Sequence, residues 1–143
     1  MMPEGKWEVS NLEELDLECC LIKKVPKNTI GTCLHLKNLN LSRNILAKLP
    51  MKEILNCQEL IRLSLSKMEL ESFPEVVLEV KSLETLIVSN NIIKNILQDI
   101  DKLLNLKKLS VDSNYLKTLP KSIGNLKNLM KLWINKNQIV ELP

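Results

Sequence analysis

The sequence predicts an α/β repeat protein: a curved solenoid with a parallel β-sheet on its concave face and irregular, short helical or 3-10 segments on its convex face. Three observations support this prediction. One pattern of apolar residues recurs six times in register along the chain. Aromatic residues make up only 3% of the chain, so the core must be mainly aliphatic, and three glycines leave few tight turns. A hydrophobic content of 45% over 143 residues suffices for one buried core and excludes a disordered chain.

The repeated pattern is clearest between Leu106 and Pro120, in the stretch LKKLSVDSNYLKTLP. Its apolar residues suit neither a helix nor a strand throughout, and only Leu109 and Val111 alternate as in a strand. Sliding the pattern along the chain gives six units at steps of 24, 24, 23, 23 and 23 residues, the last unit being incomplete and uncapped. The units begin at Leu12, Leu36, Leu60, Leu83, Leu106 and Leu129.

The units match the signature LxxLxLxxNxLxxL from Leu12 to Pro143. The sequence therefore resembles the leucine-rich repeat family. The fuller form LxxLxLxxNxLxxLPxxIxxLxx, from Leu106 to Asn128, is similar to the 23-residue intracellular subclass of Ras-suppressor-like scaffold proteins. This resemblance implies a role in signalling or regulation, with small GTPases or phosphatases among the partners of such proteins.

Each unit is expected to contribute one short strand around its LxL residues, and stacked units stabilise one another because a lone unit cannot bury its apolar edge. Asn114, the ninth residue of its unit, should bond backbone groups left unpaired where the strand turns outward. Equivalent asparagines recur in three other units, whereas Cys20 and Met68 occupy this position in the first and third units. Neither side chain can form the same bonds, so these two turns should differ.

The outer part of each unit is expected to be extended where a proline such as Pro74 closes the pattern. In the fourth unit Leu97 replaces that proline, and the following LQDIDKLLNL predicts at least one helical turn. Cys33 and Cys57 fall at core positions of the outer segments. The four cysteines form no CxxC pair, so we expect free thiols that are buried or half-buried, and no metal site.

The two ends of the chain carry separate predictions. Residues 1–11 form an N-terminal segment in which Trp7 and Val9 either make a minimal cap or belong to a frayed tail. At Pro143 the chain stops within a unit, which indicates either a fragment of a longer array or self-association through the uncapped edge. Neither a secretory signal nor a long apolar run is present, which predicts a cytoplasmic protein that does not bind membranes.

The concave face is the predicted binding surface, because positions 3, 5, 7 and 8 of each unit project there and position 10 lies at its rim. The first unit is acidic and the later units are basic, although mixed charges are also usual on a solvated face. Trp133 and Ile87 are large apolar residues on an otherwise polar sheet, unless Trp133 packs on a following unit. The predicted partner-binding residues are Arg62, Ile87, Lys108, Tyr115, Lys131, Trp133 and Lys136.

Catalysis finds no support in the sequence, since His35 is the only histidine and no phosphate-binding or metalloprotease motif is present. We therefore predict a non-enzymatic scaffold without cofactor or metal that binds a partner protein. The alternative is a substrate-recognition segment of a larger kinase, GTPase or ubiquitin ligase whose catalytic domain lies outside this chain. A net charge of +3 with few aromatics argues against nucleic-acid binding.

Overall fold

A computed structural model describes residues 7–143. It confirms the predicted fold: six short strands form one open, curved parallel sheet in chain order, with short helical segments on the opposite face. The strands are β1 Glu14–Asp16, β2 Asn38–Asn40, β3 Arg62–Ser64, β4 Thr85–Ile87, β5 Lys108–Ser110 and β6 Lys131–Trp133. The outer segments are η1 Ile30–Thr32, α1 Met51–Asn56, η2 Glu75–Glu79, η3 Gln98–Lys102 and η4 Lys121–Asn125, of which only α1 is an α-helix.

The register of the sheet follows the repeat, because residues at the same position of successive units pair with each other. Leu86 lies beside Leu109, for example, and Ile87 beside Ser110. The central leucine of each inner strand points into the core, and Leu86 and Leu109 are completely buried. Helical segments follow in five units, rather than only near residue 98. Stacking thus buries an aliphatic core between the sheet and the outer segments.

The second and third units differ in the type of their outer helix. In the second unit the core residue Ile54 lies four positions after Pro50, and its N–H donates to the Pro50 carbonyl at 3.0 Å, which closes an α-helical turn. In the third unit the equivalent donor, Val77, is only three residues beyond Pro74 and closes a 3-10 turn at 3.1 Å. The extra residue is accommodated outside the strands, so the sheet register is unchanged.

The asparagines at position 9 bond as predicted. The Nδ2 group of Asn114 donates to the carbonyls of Val88, Val111 and Asp112, and its Oδ1 accepts the Ile93 N–H at 3.0 Å. Each such asparagine therefore joins its own turn to that of the preceding unit. Asn44, Asn91 and Asn137 make the equivalent bonds.

The two units without this asparagine turn differently, as the sequence suggested. Leu21 and Glu69, which follow Cys20 and Met68, have φ values of 56° in the left-handed region, whereas position 10 is not left-handed in the other four units. The N–H of Met68 is not left without a partner, because Oδ1 of Asn91 in the next unit accepts it at 3.0 Å. Position 8 is left-handed in all six units, so the turn three residues after the end of each strand always contains this conformation.

Two expectations about burial need correction. Cys33 and Cys57 are buried, but Cys19 and Cys20 are exposed. Cys19 is at position 8, which is also exposed in interior units, as at Arg43 and Lys67, whereas Cys20 is at position 9 of the first unit and has no earlier unit within residues 7–143 to cover it. The serines at positions 5 and 7 are not solvated as expected of the concave face. The hydroxyl groups of Ser42 and Ser64 bond at 2.8 Å, and these small side chains are shielded by larger neighbours. A second bonded pair is formed by Ser89 and Ser110.

The N-terminal segment is described only from residue 7 onward, so the prediction for residues 1–6 lies outside the described chain. Trp7 is partly buried and packs against the core. Its carbonyl accepts a hydrogen bond from the Thr32 hydroxyl at 3.1 Å. The capping role of this segment stays a prediction.

Candidate functional site

A depression of about 310 Å³ lies on the concave face of units three to six. It brings together four of the predicted binding residues, Arg62, Ile87, Lys108 and Trp133. The complete lining consists of Arg62, Thr85, Ile87, Lys108, Ser110, Asp112 and Trp133.

The strands position these side chains through their register. Ile87, Ser110 and Trp133 are paired on adjacent strands, so Ile87 and Trp133 stand two strand spacings apart, about 10 Å, with the small Ser110 between them. Ser110 is buried and cannot fill the gap between its two large neighbours. The result is a notch with an apolar wall on each side.

The basic side chains form a second row beside this notch. Arg62 and Lys108 are on the strands either side of Thr85, and both are exposed. The Lys131 ammonium lies 5.9 Å from the ring centroid of Trp133, within the range of a cation–π interaction. Lys131 thus lies over the indole ring and is not among the residues that line the depression. Trp133 is 38% exposed.

Asp112 was missed in the sequence-based prediction. Its Oδ1 accepts the backbone N–H of Asn135 at 2.8 Å and the Asn135 side-chain amide at 3.1 Å, and its Oδ2 accepts the Ser110 hydroxyl at 3.0 Å. These bonds hold a carboxylate in a fixed orientation next to Trp133. The sequence feature that could have identified Asp112 is a charged residue at position 7 of its unit, a position that belongs to the concave face.

The remaining predicted residues are not part of this depression. Tyr115 is half-exposed at the rim, where its N–H donates to the Ile93 carbonyl. Lys136 has a φ of 52° and lines a separate surface with Asn137 and Ile139. The structure thus divides the seven predicted residues into a central group around Trp133 and two outlying residues.

The concave face of the first three units carries acidic residues, unlike the depression around Trp133, which is flanked by basic residues. A polar depression of about 420 Å³ is lined by residues of β1 to β3, including Glu14, Asp16 and Arg62. Arg62 belongs to both depressions and marks the boundary between them. The acidic-to-basic change along the sequence therefore appears as two neighbouring regions of one surface.

Neither a metal site nor a membrane-spanning helix is found in the described chain. Across residues 7–143, no three His, Cys, Asp or Glu side chains group to hold a metal ion. No helix in the same range has the length and apolar character needed to cross a bilayer.

Comparison with known proteins is consistent with the repeat. Residues 105–126 match the sequence model of the Leucine Rich Repeat family. A leucine-rich repeat protein of Leptospira interrogans is 32% identical over 95% of this chain, with a TM-score of 0.89, and the chain covers 34% of it. Curated protein sequences give no significant match.

Two further solved structures share the fold. The leucine-rich repeat ectodomain of the Arabidopsis thaliana receptor kinase GASSHO1/SCHENGEN3, solved in complex with Casparian strip integrity factor 2, is 27% identical over 80% of this chain, with a TM-score of 0.65. Internalin C2 of Listeria monocytogenes is 22% identical over 93% of this chain, with a TM-score of 0.81. The chain spans 14% and 56% of these two proteins. With six paired strands, the asparagine bonds and these likenesses together, the chain has the leucine-rich repeat fold.

Proposed function

We propose that this chain is a non-enzymatic scaffold that binds a partner protein through the concave depression around Trp133. The observation that carries the proposal is the notch between Ile87 and Trp133, which has a basic residue on each side of Thr85. A large apolar side chain of the partner fits between the two apolar walls. An acidic group next to it would meet Arg62 and Lys108.

The chemistry of the depression supports this kind of partner. Apolar walls provide binding energy, while exposed charges mainly guide encounter and orientation. Asp112 adds fixed acceptor atoms for a backbone N–H or hydroxyl of the partner. A parallel sheet stacked unit on unit is a rigid platform that needs little rearrangement on binding. The plant receptor ectodomain, solved in complex with Casparian strip integrity factor 2, is an example of this fold with a bound ligand and supports the proposal.

The cellular setting that we propose is cytoplasmic signalling or regulation, as in the Ras-suppressor-like subclass. Two features support it. The later units repeat at 23 residues. All four cysteines are free, and Cys19 and Cys20 are exposed without being paired, which suits a reducing compartment.

The experiment is affinity capture of cytosolic proteins by the wild-type chain and by Trp133→Ala, followed by mass spectrometry and binding kinetics with each captured protein. Trp133→Ala should weaken the specific partner by about 2 kcal/mol or more, mainly through faster dissociation. Lys108→Glu should slow association with an acidic partner surface, and this effect should fade at high salt. Lys127→Glu, an exposed change on the outer segment, is the control. A partner insensitive to Trp133→Ala but lost with Lys127→Glu would place the interface elsewhere.

The alternative proposal is a recognition segment of a larger enzyme, and a longer transcript encoding a catalytic domain would favour it. Self-association through the last unit is supported by exposed Met130, Val140 and Leu142. Light scattering over a range of concentrations tests it, and a monomer throughout would exclude it.

A further inference from the structure

A second groove lies on the convex side, away from the proposed binding surface. It has a volume of about 470 Å³, within the size range of protein pockets that hold ligand groups. It runs between α1, η2 and the first part of η3. Its lining consists of Met51, Leu55, Glu75, Val76, Leu78, Glu79, Leu97, Gln98, Asp99 and Lys102.

One wall of the groove is made by α1. Met51 and Leu55 are four residues apart, so they share one face of this helix. Their exposed fractions are 50% and 41%, whereas the core contact of the helix is made by Ile54, which is completely buried. Two large apolar side chains on a solvent-facing stripe are therefore not required by the core.

The floor of the groove comes from the next two units. Val76 and Leu78 of η2 are 4% and 6% exposed, and Leu97 precedes η3. The outer segments pack less closely on both sides of η2 than at the two pairs of neighbours nearer the ends of the solenoid. Val76 and Leu78 are nevertheless almost fully covered, so the accessible apolar surface of the groove comes mainly from Met51, Leu55 and the partly buried Leu97.

The rim of the groove is acidic. Glu75, Glu79 and Asp99 line it, together with a single cation, Lys102. Lys102 is already paired with Asp99 at 2.7 Å. Glu79 has a longer contact of 3.8 Å with Lys81, and within residues 7–143 Glu75 takes part in no ion pair. Three carboxylates against one lining cation leave the rim with a net negative charge.

We propose that this groove binds a basic amphipathic segment of a partner protein, with one or two large apolar side chains on the floor and Lys or Arg on either side. Apolar side chains of that segment would cover Met51, Leu55 and Leu97. Its cations would face Glu75, which takes part in no ion pair within residues 7–143, and Glu79, which has only the longer contact with Lys81. The concave depression has the opposite flanking charge, so the two surfaces select different segments and the chain can join two partners.

The test is selection of a random peptide display library on the whole chain, followed by affinity measurements of the enriched peptides with four variants. Met51→Ser/Leu55→Ser removes the apolar wall, and Leu104→Ser removes an exposed apolar residue outside the groove. Glu75→Gln/Glu79→Gln removes two rim charges. Trp133→Ala tests the concave face. Circular dichroism verifies that each variant is folded. We expect the fold to be retained because the changed side chains are exposed.

The expected result is a peptide class in which Lys or Arg flanks a large apolar residue. Its affinity should fall about tenfold or more with Met51→Ser/Leu55→Ser, fall with Glu75→Gln/Glu79→Gln, and stay unchanged with Leu104→Ser and Trp133→Ala. The proposal is overturned if no enriched class depends on Met51 and Leu55, or if the dependent class is acidic. It is also overturned if the chain dimerises and Met51→Ser/Leu55→Ser abolishes the dimer, because the occupant is then a second copy. If the proposal for the concave depression fails, no captured protein or enriched peptide will lose affinity with Trp133→Ala.

Discussion

At the scale of single residues, the position-9 asparagines differ in how many backbone N–H groups their side-chain oxygen accepts. Asn91 and Asn114 are almost equally buried, at 6% and 5% exposed. Oδ1 of Asn114 accepts one backbone N–H, whereas Oδ1 of Asn91 accepts two, from Met68 and Leu70. Asn91 thus compensates for the missing amide in the third unit.

Asn91→Ala should therefore destabilise the chain more than Asn114→Ala. Each change strands buried backbone groups and should lower the free energy of unfolding by about 1–3 kcal/mol, with the larger loss at Asn91. Urea denaturation of the two variants measures the difference. A smaller loss for Asn91→Ala would show that the turn at Met68 does not depend on the second N–H bond.

The cysteines divide into two reactivity classes. Burial, reinforced by the nearby thiol of Cys33 and the carboxylate of Glu53, raises the pKa of Cys57 to about 12. Burial also raises the pKa of Cys33, partly offset by a hydrogen bond with Thr32. Since the thiolate is the reactive form, both should stay protonated and unreactive at neutral pH.

Ellman's reagent should accordingly modify two thiols, Cys19 and Cys20, in the native chain, and four after denaturation. Raising the pH from 7 to 9 should leave Cys57 unmodified in the folded protein, because that range is still well below its pKa. Fast modification of all four thiols without denaturant would contradict the buried core position of Cys33 and Cys57.

At the scale of elements, α1 stabilises the preceding unit through a buried carboxylate. Glu53 is 7% exposed and accepts the N–H groups of Asn28, Thr29 and Gly31 at 3.0, 3.1 and 2.7 Å. A Cβ atom at Gly31 would come within 3.1 Å of Glu53 and Asn56, so glycine permits this close approach. The carboxylate replaces backbone partners that η1 lacks.

Glu53→Ala should lower the free energy of unfolding by about 1.5–3 kcal/mol, because three N–H groups lose a charged acceptor. Glu79→Ala, on an exposed side chain of η2, should have little effect and is the control. Thermal unfolding compares the two. Equal effects would mean that water substitutes for the Glu53 carboxylate.

At the scale of the whole molecule, stability depends on where a unit lies in the stack. Leu109 and Leu132 occupy the same position in adjacent units, yet Leu109 is completely buried between two neighbours and Leu132 is only partly buried. In a solenoid each unit is stabilised by the units on both sides. Equivalent residues should therefore contribute unequally.

Leu109→Ala should cost about 2–5 kcal/mol, as a large-to-small change in a packed core, and Leu132→Ala clearly less. Ser110→Ala is unsuitable as a control, because Ser110 is itself buried and hydrogen-bonded. Chemical denaturation of the two leucine variants gives the comparison. Equal losses would indicate that the last unit is as well packed as the fifth.

Much of the concave depression could be predicted, because alternation along a strand assigns each residue to one face from its position alone. Arg62, Ile87, Lys108 and Trp133 were placed on the concave face in this way, and the structure gathers them in one depression. Whether they bind a partner stays a prediction. Asp112 was missed because its role depends on bonds to the next unit.

The sequence by itself determined the number of units, the order and register of the strands and the aliphatic core, because these follow from periodic apolar residues that every unit repeats. Only the tertiary structure decided which irregularities matter. The Asn91 bond to the Met68 N–H, the Glu53 carboxylate at η1 and the groove beside Met51 and Leu55 arise from contacts between units. Such contacts join residues more than twenty positions apart, so no pattern within one unit can reveal them.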